Sequence, residues 1–189
     1  LFSNIGLFKS ITNSFTCLDK SLTIYHPEIV KQLGINSGDE ISYTFYLFNK
    51  KTIDSIMTKI STGSKLYQKT LQDSLLKITN HFDNLKQNKL MGDPFYRNYN
   101  LKIIPTNDVW ISPWELLDND VNDITNDQKQ LLMILEEYLK HYKNNDIDNM
   151  KLAASSYLET ISNIDEINTN NIKRETRYNQ SDSFYYSIV

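Results

Sequence analysis

Three histidines, His26, His81 and His141, are the side chains best suited to ligate a metal or to move a proton near neutral pH. They are far apart in the sequence, and none has another histidine or a carboxylate at the spacing of a metal site. His81 and Asp83 lie two positions apart, which on a helix places them on different faces. A zinc or iron site is therefore not expected. Axial ligation of a haem, which needs only one histidine in an apolar pocket, remains an alternative.

Carboxylates and the single cysteine offer a second set of candidates. The run Asp118–Asp123 alternates oxygen-bearing side chains but lacks the glycine and the downstream glutamate of a calcium loop, so helix capping explains it better. Cys17, the only cysteine, excludes an internal disulfide and a cysteine-based zinc site, and we expect it to be buried and inert. The chain has no glycine-rich phosphate loop, nucleophile elbow or Cys/His dyad. We predict no catalytic or metal-ligating residue and leave enzymatic activity uncertain.

Composition narrows the class of protein. The chain has 189 residues, 40% of them hydrophobic, a net charge of −3 and a pI of about 5.6. That length predicts one domain or two small ones, and the charge argues against a nucleic-acid partner. Its apolar runs are far shorter than the ~20 residues that cross a bilayer. The apolar ends Leu1–Leu7 and Phe184–Val189 either dock on the core or adjoin membrane helices of a longer parent.

The elements that must position these side chains begin with β-rich stretches. Ser21–His26 and Glu40–Phe48 predict two strands, the second from its alternating apolar pattern. Between them, Pro27–Gly34 predicts a short helix with proline in its first turn and glycine as its cap. A turn follows at Asn36–Asp39.

Helical periodicity takes over from Thr52. Apolar residues at 3–4 spacing from Leu71 to Leu85 predict a long amphipathic helix that ends near Lys89, after a break at Ser61–Ser64. Residues 93–124 are irregular, apart from a strand-like piece at Leu101–Ile104.

Two tryptophans stand out in this irregular segment. Trp110 lies between Pro105 and Pro113, and Trp114 directly follows Pro113. This grouping predicts a rigid apolar anchor. On this basis Trp110→Ala is expected to destabilise the fold by ~3–5 kcal/mol.

The last part of the chain predicts an αα-hairpin. Its first helix runs over Asp127–Lys143 after a cap at Thr125 or Asn126. The second is expected to be capped by Asp148 and to end at Ile161. Its inward residues are expected to be Leu152, Ser155 or Ser156, Leu158 or Tyr157, and Ile161. Ile172–Tyr186 predicts a final helix. The fold class is mainly α (α+β), with a small β element near residues 21–48. The single domain divides into residues 1–92, 93–124 and 125–189.

Three stretches, in order, resemble the large extracytoplasmic region of the system II cytochrome c biogenesis proteins, the CcsBA or ResB–ResC fusion family. The first is Leu33–Ile35 followed by Ile41–Phe48. The second is Leu101–Pro105 through Trp110–Pro113, which resembles a segment ending in W-x-S-P. The third is Ile172–Asn179 followed by Phe184-Tyr185, and the predicted hairpin falls between the second and third.

The resemblance implies a periplasm-facing domain of a membrane protein that exports haem and ligates it to apocytochrome c. Its partners would be the membrane-embedded remainder of the parent and apocytochrome c, with haem a cofactor of the parent. The family's haem-handling signature is absent from this segment, so no haem-binding residue is carried over. The residues expected to act as structural anchors are Trp110, Ser112, Pro113, Trp114, Tyr178 and Asn179. The alternative is a free-standing helical module of the cell envelope that binds a protein or peptide.

Overall fold

The computed structural model describes residues 14–58, 65–87, 97, 99, 101–106 and 109–164. Over these ranges the chain forms seven α-helices and two antiparallel two-stranded ribbons, which confirms the predicted mainly α (α+β) class. The strands are β1 (Leu22–Thr23), β2 (Glu40–Ile41), β3 (Ile104–Pro105) and β4 (Trp110–Ile111). The helices are α1 (Pro27–Leu33), α2 (Tyr43–Phe48), α3 (Lys50–Thr58), α4 (Lys65–Lys86), α5 (Pro113–Asp118), α6 (Asn126–Lys143) and α7 (Ile147–Ser162).

The first ribbon encloses a short helix. Leu22 of β1 pairs with Ile41 of β2, and α1 forms the connection between the two strands. Pro27 occupies the first turn of α1, and Gly34 ends it with φ 66°. Glycine has no Cβ to oppose this left-handed conformation, so it terminates the helix at little cost. The predicted proline start and glycine cap are confirmed.

The predicted strand Glu40–Phe48 is wrong beyond residue 41. Ser42 acts as an N-cap, accepting a hydrogen bond at its Oγ from the backbone N–H of Phe45 (3.0 Å), and α2 follows. Six of the nine residues of this stretch are apolar or aromatic, so its pattern fits a period of 2 or of 3.6. Packing selects the helix, because it lets Tyr46 stack on Phe82 of α4 with 4.8 Å between ring centroids.

The long amphipathic helix is confirmed as α4, which starts at Lys65 and ends at Lys86 rather than near Lys89. Its apolar stripe faces the core, as the 3–4 spacing predicts. The buried side chains of this stripe are Leu71, Leu75, Ile78, Phe82 and Leu85. The predicted break at Ser61–Ser64 lies outside the described residues.

The second ribbon leads directly into a capped helix. Ile104 of β3 pairs with Ile111 of β4. The strand predicted over Leu101–Ile104 is observed at Ile104–Pro105, so the two ranges share only Ile104. The hydroxyl of Ser112 then accepts a hydrogen bond from the backbone N–H of Glu115 (3.2 Å). The Glu115 carboxylate in turn accepts one from the backbone N–H of Ser112 (2.7 Å). This capping box satisfies two N–H groups that the first turn of α5 would otherwise leave unpaired.

Helices α6 and α7 form the predicted αα-hairpin. Thr125 caps α6, accepting at its Oγ1 a hydrogen bond from the backbone N–H of Gln128 (3.2 Å). Asp146, not Asp148, caps α7, because the Asp146 carboxylate accepts from the backbone N–H of Asn149 (3.3 Å). The predicted cap is wrong by two residues, since the interhelical turn is shorter than expected.

The inward face of α7 also differs from its prediction. Leu152 and Leu158 are 64% and 66% exposed, while Ala153, Ala154 and Tyr157 are partly buried. The small alanine side chains allow α7 to approach α6 closely, and Tyr157 rather than Leu158 takes the inward position for which both were alternatives. The predicted inward residues Ser155 and Ser156 are exposed. Ile161 is the buried residue of this helix. The predicted helix Ile172–Tyr186 lies outside the described residues.

Buried side chains from Cys17 to Ile161 join one hydrophobic cluster. Trp114 of α5, fully buried, lies within it. Its ring contacts that of Tyr43, with 5.4 Å between centroids, so α5 packs against α2. In the part of the chain described, no helix combines the length and apolarity needed to cross a bilayer.

Candidate functional site: an apolar groove on the helical hairpin

The two tryptophans occupy different environments. Trp114 is 0% exposed, and its indole N–H donates a hydrogen bond to the hydroxyl of Thr16 (3.1 Å). Trp110, in β4, is only partly buried and packs against the edge of the core. The buried contacts expected of the tryptophan anchor are therefore made mainly by Trp114.

Arg97 packs against the ring of Trp114. Its guanidinium lies 5.0 Å from the ring centroid of Trp114 and pairs with the carboxylate of Asp118 at the end of α5. It also donates a hydrogen bond to the backbone carbonyl of Lys86 (2.8 Å). The guanidinium of Arg97 thus links the C-terminal end of α4 to α5, a contact that is not predicted from the sequence. An arginine near a tryptophan in space cannot be recognised when 17 positions separate Arg97 from Trp114 in the chain.

The remaining predicted anchors divide between described and undescribed parts of the chain. Ser112 and Pro113 are buried at the start of α5, where serine caps and proline occupies the first turn. Both act on the helix that carries Trp114. Tyr178 and Asn179 lie outside the described residues.

The three histidines are not brought together. The ring of His26 lies 5.4 Å from that of Tyr67, and Nε2 of His81 lies 3.1 Å from the hydroxyl of Ser21. Nδ1 of His141 lies 3.2 Å from the Asp146 carboxylate. Within the described ranges, no three His, Cys, Asp or Glu side chains are grouped closely enough to hold a metal ion.

Cys17 is fully buried, as its sequence context predicts. Burial raises the pKa of its thiol, because removal from water disfavours the charged thiolate. The side chain is therefore a neutral thiol at physiological pH and is not positioned to act as a nucleophile. The backbone carbonyl of Cys17 instead accepts hydrogen bonds from the N–H (3.1 Å) and hydroxyl (3.0 Å) of Thr44.

An apolar cavity of about 660 Å³ lies on the hairpin, and we call it the hairpin groove. It is bounded by α6, by α7 and by the segment that precedes β1. The residues that line it are Phe15, Thr16, Asp19, Ile134, Leu135, Tyr138, Leu139, Tyr142, Lys143, Ala153, Ala154, Tyr157 and Leu158. Its volume falls within the range of pockets that bind small molecules or apolar side chains.

Small and aromatic residues together determine the shape of this groove. Ala153 and Ala154 leave space beside α7, while Tyr138, Tyr142 and Tyr157 contribute aromatic surface. The hydroxyl of Tyr157 donates a hydrogen bond to the backbone carbonyl of Ile103 (2.5 Å), which ties α7 to the second ribbon. Burial raises the pKa of Tyr157, so its phenol stays protonated and keeps this donor role.

Charge is confined to one end of the groove. There Lys143, at the end of α6, pairs with Asp19 of the segment before β1. The two opposite charges offset each other, and the other lining residues carry no charge at neutral pH. The arrangement favours apolar, uncharged groups, because a charge buried among these side chains would lose its hydration without gaining a free counter-charge.

Helical periodicity predicts the αα-hairpin but not the groove. Of the residues predicted to face inward, Tyr157 and its alternative Leu158 both line the groove. The third wall comes from Phe15–Asp19, more than a hundred residues before α6, so no local pattern indicates it. Only the tertiary packing brings that wall to the hairpin.

Comparison with known proteins adds no relative to this description: no family model, curated protein or solved structure matches the chain.

Proposed function

We propose that this chain is the periplasm-facing domain of a membrane protein that assembles c-type cytochromes, of the system II type. In this role it shapes the place where haem and apocytochrome c meet, next to the membrane-embedded remainder of its parent. The observation that carries the proposal is the order of the three stretches that resemble the family, with a helical hairpin between the second and third.

The packing of the first two stretches supports their common origin in one folding unit. Tyr43, from the first stretch, contacts Trp114, which immediately follows the second. Ser112 and Pro113, from the W-x-S-P segment, begin the helix that places Trp114 in the core. Tyr43 and Trp114, about 70 positions apart in the sequence, thus depend on each other for burial, as expected if both stretches belong to one domain.

A strain that lacks the gene tests the proposal. Its membranes are separated on a denaturing gel and stained for covalently bound haem, with the wild-type gene restored on a plasmid as control. We expect covalent haem to be lost while apocytochrome c is still made. Unchanged total extractable haem would separate failure of attachment from failure of haem synthesis. Wild-type levels of covalently bound haem in the deletion strain would refute the proposal.

A free-standing interaction module of the cell envelope is the second candidate, and the hairpin groove favours it. An apolar groove between helices is a common way to bind a polypeptide with an apolar stripe. Its test is affinity capture with the full chain, comparing Leu158→Glu at the groove with Leu152→Glu outside it. A polypeptide retained by wild type and Leu152→Glu but lost by Leu158→Glu would support this candidate. Equal retention by all three would count against it.

A further inference from the structure

The hairpin groove is long enough to hold an extended hydrocarbon chain. Along α6 it runs from Ile134 to Lys143, about 14 Å at ~1.5 Å per helical residue. An extended hydrocarbon chain built from C–C bonds of ~1.5 Å advances about 1.3 Å per carbon. A chain of about eleven carbons therefore spans the groove from one end to the other. The volume of about 660 Å³ also lies within the range of sites that enclose small molecules.

The walls of the groove favour a hydrocarbon over an extended polypeptide. Ala153 and Ala154 line it with methyl groups, and Leu158, 66% exposed, adds a large apolar side chain that another group can cover. The hydroxyl of Tyr157 already donates its proton to the backbone carbonyl of Ile103. An extended polypeptide carries an N–H and a C=O group at nearly every residue, and burying them without partners costs free energy. A hydrocarbon chain carries no such groups.

One end of the groove is polar but has no net charge. Lys143 pairs there with Asp19, and both side chains are about half exposed to water. A hydroxyl group on a ligand can donate to the carboxylate or accept from the ammonium group without removing either charge from its partner. A carboxylate or an ammonium group on the ligand would be attracted by one partner and repelled by the other. The ion pair therefore favours a ligand whose polar end is uncharged.

We propose that the hairpin groove binds one hydrocarbon chain of about eleven carbons, taken from solution, with an uncharged polar end beside Asp19 and Lys143. The site does not depend on the proposed role in cytochrome assembly, because the lining residues alone define it. Each methylene group buried in the groove contributes ~0.8 kcal/mol, which is about fourfold in affinity. The affinity is thus expected to rise with chain length and to level off once the groove is full.

Nuclear magnetic resonance on the full chain can measure this binding, because Ala153 and Ala154 are its only alanines and both line the groove. Selective labelling of alanine methyl groups gives two signals, each a direct reporter of the site. The probes are straight-chain alcohols from hexanol to dodecanol. We expect both signals to shift, with the affinity rising about fourfold per carbon up to about eleven carbons. Decanoate should bind no more tightly than decanol, since Asp19 offsets the charge of Lys143.

Leu158→Glu and Leu152→Glu are a matched pair of variants, since both leucines are about two-thirds exposed on α7 but only the first of them lines the groove. We expect Leu158→Glu to weaken decanol binding about tenfold, because it places a charge beside the chain, and Leu152→Glu to leave it unchanged. Far-UV circular dichroism checks that each variant is folded. If Leu158→Glu is not, Ala154→Leu replaces it. Its larger side chain occupies part of the groove and must give the same loss of affinity, measured from the signal of Ala153.

Four results would overturn the proposal. The first is alanine signals that no alcohol shifts, including the case in which phosphatidylcholine vesicles shift them and assign the groove to a membrane surface. The second is an affinity that does not change with chain length. The third is equal weakening by Leu158→Glu and Leu152→Glu. The fourth is tighter binding of decanoate than of decanol, which would make Lys143 the counter-charge of an anionic ligand.

Discussion

Replacement of Trp114 by alanine is the most direct perturbation of this fold. The side chain is fully buried, so the variant loses its transfer free energy and leaves a cavity. It also loses the hydrogen bond to Thr16 and the ring contact with Tyr43, 5.4 Å between centroids. Truncation of a buried tryptophan costs ~3–5 kcal/mol, and the lost contacts place this variant at the upper end of that range.

Trp110→Ala is the matched comparison, because the two residues lie four positions apart and are the only tryptophans. Trp110 is only partly buried, so less apolar area returns to water and no enclosed cavity forms. We therefore expect Trp110→Ala to cost about 1–2 kcal/mol. The destabilisation of ~3–5 kcal/mol that the sequence predicts for Trp110→Ala is therefore expected for Trp114→Ala instead.

Urea unfolding followed by far-UV circular dichroism measures both values without relying on tryptophan emission. With a slope of about 2 kcal/mol per molar urea, Trp114→Ala should lower the midpoint by about 2 M and Trp110→Ala by less than 1 M. Trp114→Phe, which keeps most of the apolar contact, should fall between wild type and Trp114→Ala. If Trp110→Ala destabilised the protein as much as Trp114→Ala, the assignment of the core anchor from burial would be refuted.

Four further variants test local features by the same unfolding assay. Ser112→Ala removes the cap of α5 and should cost ~1 kcal/mol, whereas Glu115→Ala should cost less, since it leaves the serine cap in place. Gly34→Ala should cost ~1 kcal/mol, because a Cβ opposes the left-handed backbone conformation at φ 66° even though no atom lies within 4 Å of it. Unchanged stability would contradict this assignment of backbone strain. Burial raises the pKa of the Glu136 carboxyl despite a hydrogen bond from Ser42, so its ionisation opposes folding. Glu136→Gln should therefore stabilise the protein at pH 7. This gain in stability should shrink as the pH falls through the pKa of Glu136 in the folded state and vanish below the ordinary value of ~4.3. A gain that does not depend on pH would exclude ionisation as its cause.

Local sequence signals were most reliable where one residue determines the backbone. Pro27 and Gly34 delimit α1 through a restricted φ and an absent Cβ, and Thr125 supplies a hydroxyl to cap α6. These effects act within a few residues, so they can be read before the fold is known. The apolar stripe of α4 belongs to the same class, because its 3–4 spacing extends over several turns.

Local signals failed where two periods or two caps were equally compatible with the residues. The stretch after Ile41 is apolar on both alternating faces, so the choice of helix depended on packing against Phe82. Asp146 and Asp148 can each cap a helix, and the length of the turn decided between them. Leu152 is apolar and was expected to face inward, but it is exposed, because the neighbouring alanines lie on the side of α7 that faces α6.

By itself, the sequence determined the mainly helical class, the hairpin and the cap of its first helix to within one residue, because backbone geometry and helical periodicity are properties of neighbouring residues. Tertiary structure alone decided that Trp114 rather than Trp110 fills the core, that Arg97 closes over it, and that Phe15–Asp19 forms the third wall of the hairpin groove. Burial depends on which distant segments exclude water from a side chain. In this chain the segments that do so are about a hundred positions or more apart in the sequence.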